Sequence, residues 1–175
     1  CGSNAERNRI NHMVRALMGK RPEPEIDDKI IGLDNHWGII SNNDNALTNG
    51  AIGKIKEYKK VIQTYDLNNP RWKGFKDTPL LYTDFETEDG DMFYQLPIDY
   101  TCLTTGEPLL TPKQEYQLET YQSMLARLAL KKSYFNSSIN IKEIPLHFNY
   151  GYAITCWKAQ GSGYPYVLGY DCNWL

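Results

Sequence analysis

Apolar residues recur at Ile10, Met13, Val14 and Leu17, the i, i+3, i+4, i+7 spacing of one helical face, so residues 4–18 are expected to form an amphipathic helix. Asn4 can cap its start, a contribution of roughly 1 kcal/mol, and Gly19 suits its stop. Arg7, Arg9 and Arg15 fall off the apolar stripe. Pro22 and Pro24 break the helical pattern, and the period then shortens. Lys29-Ile30-Ile31-Gly32-Leu33 predicts a short strand. Asn49-Gly50, set between Leu47 and Ile52, is a strong hairpin signal, and residues 51–58 continue as a strand with Gly53 placed for a bulge.

Residues 68–99 are rich in turns and aromatics, with strands expected at 80–83 and 92–96 on either side of an acidic turn. Thr111-Pro112-Lys113-Gln114 has the form of a capping box with proline at the first helical position. The helix it starts is expected to run to about Lys132, with Leu118, Tyr121, Leu125 and Leu128 on a core-facing side. Residues 141–146 lead into an apolar block, Tyr152-Ala153-Ile154, that reads as a buried strand. Polar residues follow, and after Pro165 the run Tyr166-Val167-Leu168-Gly169-Tyr170 reads as a second strand. Strand, polar loop, strand is a layout that brings ligand groups to the edge of an α/β sheet. The loop chemistry suits a polyanion: Thr155 offers a hydroxyl, Lys158 a charge, Gln160 an amide, and Gly161 lets backbone N–H groups approach a phosphate.

Composition narrows the classes. With 175 residues, 41% of them apolar, the chain can bury one ordinary core or two small ones. No run approaches membrane-span length and no signal-peptide pattern is present, so a cytoplasmic protein without a membrane partner is expected. Cys1, Cys102, Cys156 and Cys172 form no C-x-x-C pair, which favours free thiols. A net charge of −2 is unlike a basic nucleic-acid-binding domain, so any such contact must come from a local patch. Arg7, Arg9 and Arg15 form one candidate; Lys54, Lys56, Lys59 and Lys60 form another, read here as a solvated face balanced by carboxylates.

Several suggestive patterns reduce to plain ones. Gly50-x-x-Gly53-Lys54 has two residues where a Walker loop needs four, and Ile55 stands in place of the Mg²⁺-holding hydroxyl. Asp84, Glu86, Glu88, Asp89 and Asp91 lack EF-hand spacing, and Asp89-Gly90 serves as a turn, so no metal site is assigned. His147 with Cys156 would make a thiol catalyst, but a surface histidine near a buried thiol explains the same residues.

The run Tyr-Ala-Ile-Thr-x-x-Lys-Ala-Gln-Gly-Ser at 152–162 resembles the Thr-x-His-Lys-Ser-Gln-Gly-Ser block in the second motor domain of superfamily 1 DNA helicases of the RecD branch, the group of the exodeoxyribonuclease V alpha subunit. Trp157 stands where the family usually has His, and Gly163 where it commonly has the Glu that touches nucleotide. Leu47-Thr48-Asn49-Gly50-Ala51-Ile52-Gly53 resembles the hairpin that opens the family's inserted SH3-like barrel. Residues 1–11 resemble its strand-to-helix segment, with an Asn and an Arg near the helix start. A helix N-terminus with arginine nearby suits a phosphate.

The resemblance implies an α/β fold: a partial RecA-like parallel sheet from residues 1–26 and 146–175, with an SH3-like β-barrel module and extra helix inserted at 27–145. It implies an ATP-dependent 5′-to-3′ helicase acting in DNA repair or recombination. Asn4, Arg7, Thr155, Trp157 and Lys158 would contact single-stranded DNA, and Gln160, Gly161 and Ser162 would sense nucleotide. Trp157 could stack on a base, at roughly 1–3 kcal/mol, or pack beneath the sheet. ATP and Mg²⁺ would be bound mainly by an N-terminal RecA-like domain outside this chain, since no Walker loop and no Asp-Glu pair occur in it. The residues are therefore expected to be a helicase fragment, without catalytic groups of its own and inactive alone. Two other readings stay open: a non-catalytic β-barrel interaction module carrying a relic loop, and a hydrolase using Cys156.

Overall fold

The computed structural model describes residues 3–63, 77–132, 144–155 and 169; within the long helix the side chains at 121, 122, 125, 126 and 128–132 fall outside that description. The chain opens with helix α1 (Asn4–Leu17) and continues through strands β1 (Lys29–Gly32), β2 (His36–Ile40), β3 (Ala46–Leu47), β4 (Ile52–Gln63), β5 (Thr78–Thr87) and β6 (Met92–Asp99). Helices α2 (Tyr100–Thr105) and α3 (Pro112–Lys132) follow, and strand β7 (Phe148–Tyr150) returns to the sheet. Five strands form one sheet in the order β6-β5-β4-β1-β7, and β2 pairs with β3 in a separate ribbon.

The pairs are antiparallel throughout these sheets. The described residues therefore make a mixed α/β fold, and no parallel RecA-like sheet is found among them. Their one parallel contact is an isolated bridge between Ile98 and Leu146. That bridge matters. The Leu146 N–H donates to the Pro97 carbonyl at 2.8 Å, and the Asp99 N–H donates to the Leu146 carbonyl at 2.9 Å. Two residues later the same chain is β7, paired with β1 on the opposite edge. One returning segment thus touches both edges of the sheet, through an isolated bridge at the end of β6 and a three-residue ladder on β1, and so pairs part of each edge. Leu146 and β7 share this sheet with the stretch read as the inserted module.

Alternating apolar positions explain the strands. Leu81, Thr83 and Phe85 of β5 point inward, and Phe85 packs between Phe93, at a centroid distance of 6.1 Å, and Phe148, at 5.3 Å. Ile30, Ile55, Leu96 and Ile98 complete the centre of the core. Two bulges bend the long strands. Lys56 is the extra residue between the pairs Ile55–Phe85 and Glu57–Asp84, so the bulge lies three residues beyond Gly53, where the sequence placed it. Gly53 instead admits the neighbouring strand: a Cβ there would lie 2.0 Å from the Glu86 carbonyl oxygen. On β6 the second bulge holds Gln95 at φ +52, and its N–H donates to Asp84 at 2.9 Å.

The turn at Asn49-Gly50 forms as expected, with the Ala51 N–H donating to the Thr48 carbonyl and Gly50 at φ +89. It is not a hairpin, because β3 pairs with β2 while β4 pairs with β1. The capping box on α3 is present in both directions: the Thr111 N–H donates to Gln114 Oε1 at 2.8 Å, and the Gln114 N–H to Thr111 Oγ1 at 3.3 Å. Leu118 on that helix is buried as expected. The strand expected at Tyr152–Ile154 is absent; the strand is Phe148–Tyr150, and the chain leaves the sheet after a last hydrogen bond from the Gly151 N–H to the Lys29 carbonyl. Helix α2 and strand β2 are elements that periodicity did not reveal. No helix among the described residues is long and apolar enough to cross a membrane.

Candidate functional site

Helix α1 inverts its expected orientation. Met13 and Leu17 of the apolar stripe are 48% and 81% exposed, whereas Arg7, Asn11 and Arg15, spaced i, i+4, i+8, are buried. Ser3 caps the helix, its Oγ accepting from the Glu6 N–H at 3.2 Å, and Asn4 is an exposed first residue instead of the cap. The buried polar stripe grips the polypeptide around the end of β7. Asn8 Oδ1 accepts from Asn149 Nδ2 at 2.9 Å. Asn11 Nδ2 donates to the carbonyls of Tyr150 at 2.7 Å and Ala153 at 3.2 Å, and Asn11 Oδ1 accepts from the Ala153 N–H at 2.6 Å. One side-chain amide thereby does what a neighbouring strand would do for residue 153.

Arg15 completes the stripe. Its guanidinium lies 4.1 Å from the centroid of the Tyr150 ring and donates to both carboxylate oxygens of Asp28, at 3.2 and 2.8 Å. Asp28 has no exposed surface and also meets Lys20 at 3.0 Å, the Glu25 N–H at 2.7 Å and the Tyr152 hydroxyl at 2.8 Å. Burial alone would raise its pKa, but the hydrogen bonds from Arg15 and Lys20 outweigh that and hold the carboxyl below its ordinary value. This cluster ties α1, β1 and Tyr152 together.

Arg7 is treated differently. It is 4% exposed, and its Nε and Nη2 both donate to the single oxygen of Asn8, at 3.2 and 3.1 Å. No carboxylate pairs with it among the described residues, and burial pushes its pKa down. The nearby Cys102 thiol supplies no negative charge, because burial raises its own pKa to about 12. Among the described residues this guanidinium is answered by an amide and no anion, and a buried charge so placed is costly unless an anion meets it.

Thr155, expected at the nucleic-acid surface, is buried at 7% exposure. It lies two residues beyond the Ala153 that Asn11 holds. Arg7 and Thr155 are thus carried on the two segments joined by Asn11, while Asn4 lies at the exposed start of the same helix. Trp157, Lys158, Gln160, Gly161 and Ser162, together with Cys156 and Gly163, lie outside the described residues. Sequence reasoning missed Asn8, Asn11, Asp28, Asn149 and Tyr152. The signal available was the spacing of Arg7, Asn11 and Arg15, a polar stripe as regular as the apolar one.

The other candidates have separate roles. Lys56 pairs with Glu86 at 2.8 Å, and Lys60 lies 3.5 Å from the centroid of the Tyr100 ring. Of the acidic residues, Asp91 accepts from Ser41, Asn43 and Asn45, and Glu88 pairs with Lys29 at 2.6 Å. A polar cavity of about 340 Å³ lies between that turn and the Asn49-Gly50 turn. His147 is held by Asp34, 2.8 Å from its Nδ1, and by Glu115 of α3, 2.7 Å from its Nε2. Burial would lower its pKa, but the two carboxylates raise it to about 9, so the ring is a cation at neutral pH and cannot act as a general base there.

No protein-family model matches the chain, and no curated protein matches it at a significant level.

Proposed function

We propose that the chain is part of the second RecA-like motor domain of a RecD-like superfamily 1 DNA helicase, with the antiparallel sheet as its inserted SH3-like barrel. In this reading residues 1–26 and 146–175 belong to the motor and residues 27–145 to the insertion, with β7 pairing to β1 where the two meet. The observation that carries it is Arg7: a buried cation with no carboxylate partner among the described residues, on the helix that also holds the polypeptide leading into Thr155. A phosphate of single-stranded DNA would answer that charge, and Lys158 with Trp157 would extend the contact along the strand. Gln160, Gly161 and Ser162 would respond to ATP and Mg²⁺, held mainly by an N-terminal RecA-like domain.

The test is binding of a fluorescent oligothymidylate at low salt. Binding should weaken in Arg7→Gln and in Lys158→Ala, each lowering the slope of log K against log salt by about one. Absence of binding by the wild-type chain below about 50 mM salt would refute the reading. Joined to the upstream domain, the chain should show DNA-stimulated ATP hydrolysis that Lys158→Ala abolishes; alone it should hydrolyse no ATP.

A second reading, a non-catalytic interaction module with a relic helicase loop, draws on the exposed Met13 and Leu17 of α1 and on Gly163 in place of the family's Glu. It predicts no ATPase after the upstream domain is restored. The Cys156 hydrolase reading loses its proposed base, because His147 is already committed to Asp34 and Glu115.

A further inference from the structure

We propose that Asn11 is a positioning residue: from the buried face of α1 it fixes the backbone that delivers Thr155, and so couples the place of Arg7 to the place of Thr155. This rests on the motor reading above and names the device that would set its geometry. Asn11 has no exposed surface, so it touches no ligand. Its amide is used in full register, accepting from the Ala153 N–H and donating to the Ala153 carbonyl. That is the pairing an adjacent strand would give residue 153.

The need for it follows from the fold. The last sheet hydrogen bond on this edge is from the Gly151 N–H to the Lys29 carbonyl. Beyond it the chain bends away from β1, and the half-buried Ala153 would otherwise lack a protein partner for both its backbone groups. Tyr152 gives a second hold through Asp28, which Arg15 also grips one helical turn after Asn11. Asn8, one position after Arg7, reaches Asn149 on the same segment. A displacement of α1 at Arg7 is therefore carried to Thr155 through side chains that hold backbone or one another.

Amide hydrogen exchange, read residue by residue on the full chain, tests the assignment. Asn11→Ala should speed exchange at the Ala153 amide by about tenfold or more relative to the Leu80 and Leu81 amides of β5. Asn11→Asp, compared with wild type at about pH 4 where a carboxyl buried against two carbonyls stays protonated, keeps the acceptor and one donor and should hold Ala153 within about threefold of wild type. It also serves if Asn11→Ala fails to fold, since fast exchange at Ala153 beside slow exchange at Leu81 in Asn11→Asp would overturn the assignment.

Oligothymidylate binding on the same samples separates the two proposals. Asn11→Ala should weaken binding by about tenfold while leaving the salt slope at its wild-type value, unlike Arg7→Gln, which removes a phosphate contact. Unchanged affinity in a folded Asn11→Ala chain would overturn the coupling. A wild-type chain that does not bind at all would sink the motor reading and with it the coupling, while the exchange rates would still decide whether Asn11 fixes Ala153.

Discussion

Asp28 has no exposed surface, so its charge persists only because Arg15, Lys20, the Glu25 N–H and the Tyr152 hydroxyl surround it. Removing that charge strands Arg15 in the interior, and a buried pair broken from one side costs about 3–5 kcal/mol. Asp28→Asn should therefore lower the urea midpoint by an amount of that order, at an unchanged denaturant slope. The pH dependence has a definite sign. The carboxyl's folded pKa is depressed, so its contribution is present above the ordinary aspartate range and is lost as pH falls through the folded value. His147 works the other way. Its pKa is raised to about 9 from 6.5, so its stabilisation is full below 6.5 and disappears as pH rises through 9. His147→Gln should cost up to about 3 kcal/mol at pH 6 and nothing through this charge at pH 10. Thermal melts of both proteins across that range would show converging curves; parallel curves would contradict the ion-pair account.

At the scale of elements, legibility depended on whether the signal was local. The capping box of α3 needs only Thr111 and Gln114, and it formed as read. The Asn49-Gly50 turn is equally local, yet the hairpin expectation failed because the strands on its two sides take other partners: β3 pairs with β2 just before it, and β4 reaches back past both to β1. Helix α1 shows the deeper limit. Hydropathy assigns burial by the cost of desolvating a side chain, and that cost vanishes when the side chain meets specific partners. Asn11 and Arg15 sit inside because the backbone at residues 150–153 and Asp28 receive them, and Met13 and Leu17 are left outside. Of the site's residues Arg7 and Thr155 were named from the sequence; Asn11 shares the i, i+4, i+8 spacing of Arg7 and Arg15, but Asn8 and Asn149 carry no periodic or motif signal. Gly106, the left-handed cap of α2 at φ +82, bears on the same stripe. A Cβ there would lie 1.6 Å from Asn8 Nδ2, and Asn8 cannot move freely because it also accepts from Arg7 and Asn149. Gly106→Ala should cost about 2 kcal/mol or more, summing the left-handed strain with the displaced amide. Gly90→Ala, at φ +87 with no atom near the added Cβ, should cost only the strain of about 1–2 kcal/mol.

For the whole molecule, the segment from Leu146 to Ala153 is the common fastener. Leu146 bonds to β6, β7 pairs with β1, and Tyr150 and Ala153 are held by Asn11 of α1. Contacts between the ends of the sequence join the sheet's edges and anchor the helix in the same few residues, so neither structure keeps its full complement of partners without the other. Folding should consequently be all-or-none across α1 and the sheet. The signals to compare are far-UV circular dichroism, which includes α1, and the protection of β5 amides such as that of Leu81, a fully buried residue on a strand paired on both sides. Both should follow one denaturant transition with a common midpoint. Leu146→Pro removes the N–H that meets the Pro97 carbonyl and empties a side chain that is 4% exposed. From the lost donor and the lost apolar contact together, it should cost about 3 kcal/mol or more. The decisive outcome is the shape of the change: the helical and β5 signals should shift together to a lower midpoint. If α1 instead melts in a separate, earlier transition while β5 stays protected, the returning segment fastens the sheet alone, and mechanical coupling between Arg7 and Thr155 has no basis in the fold.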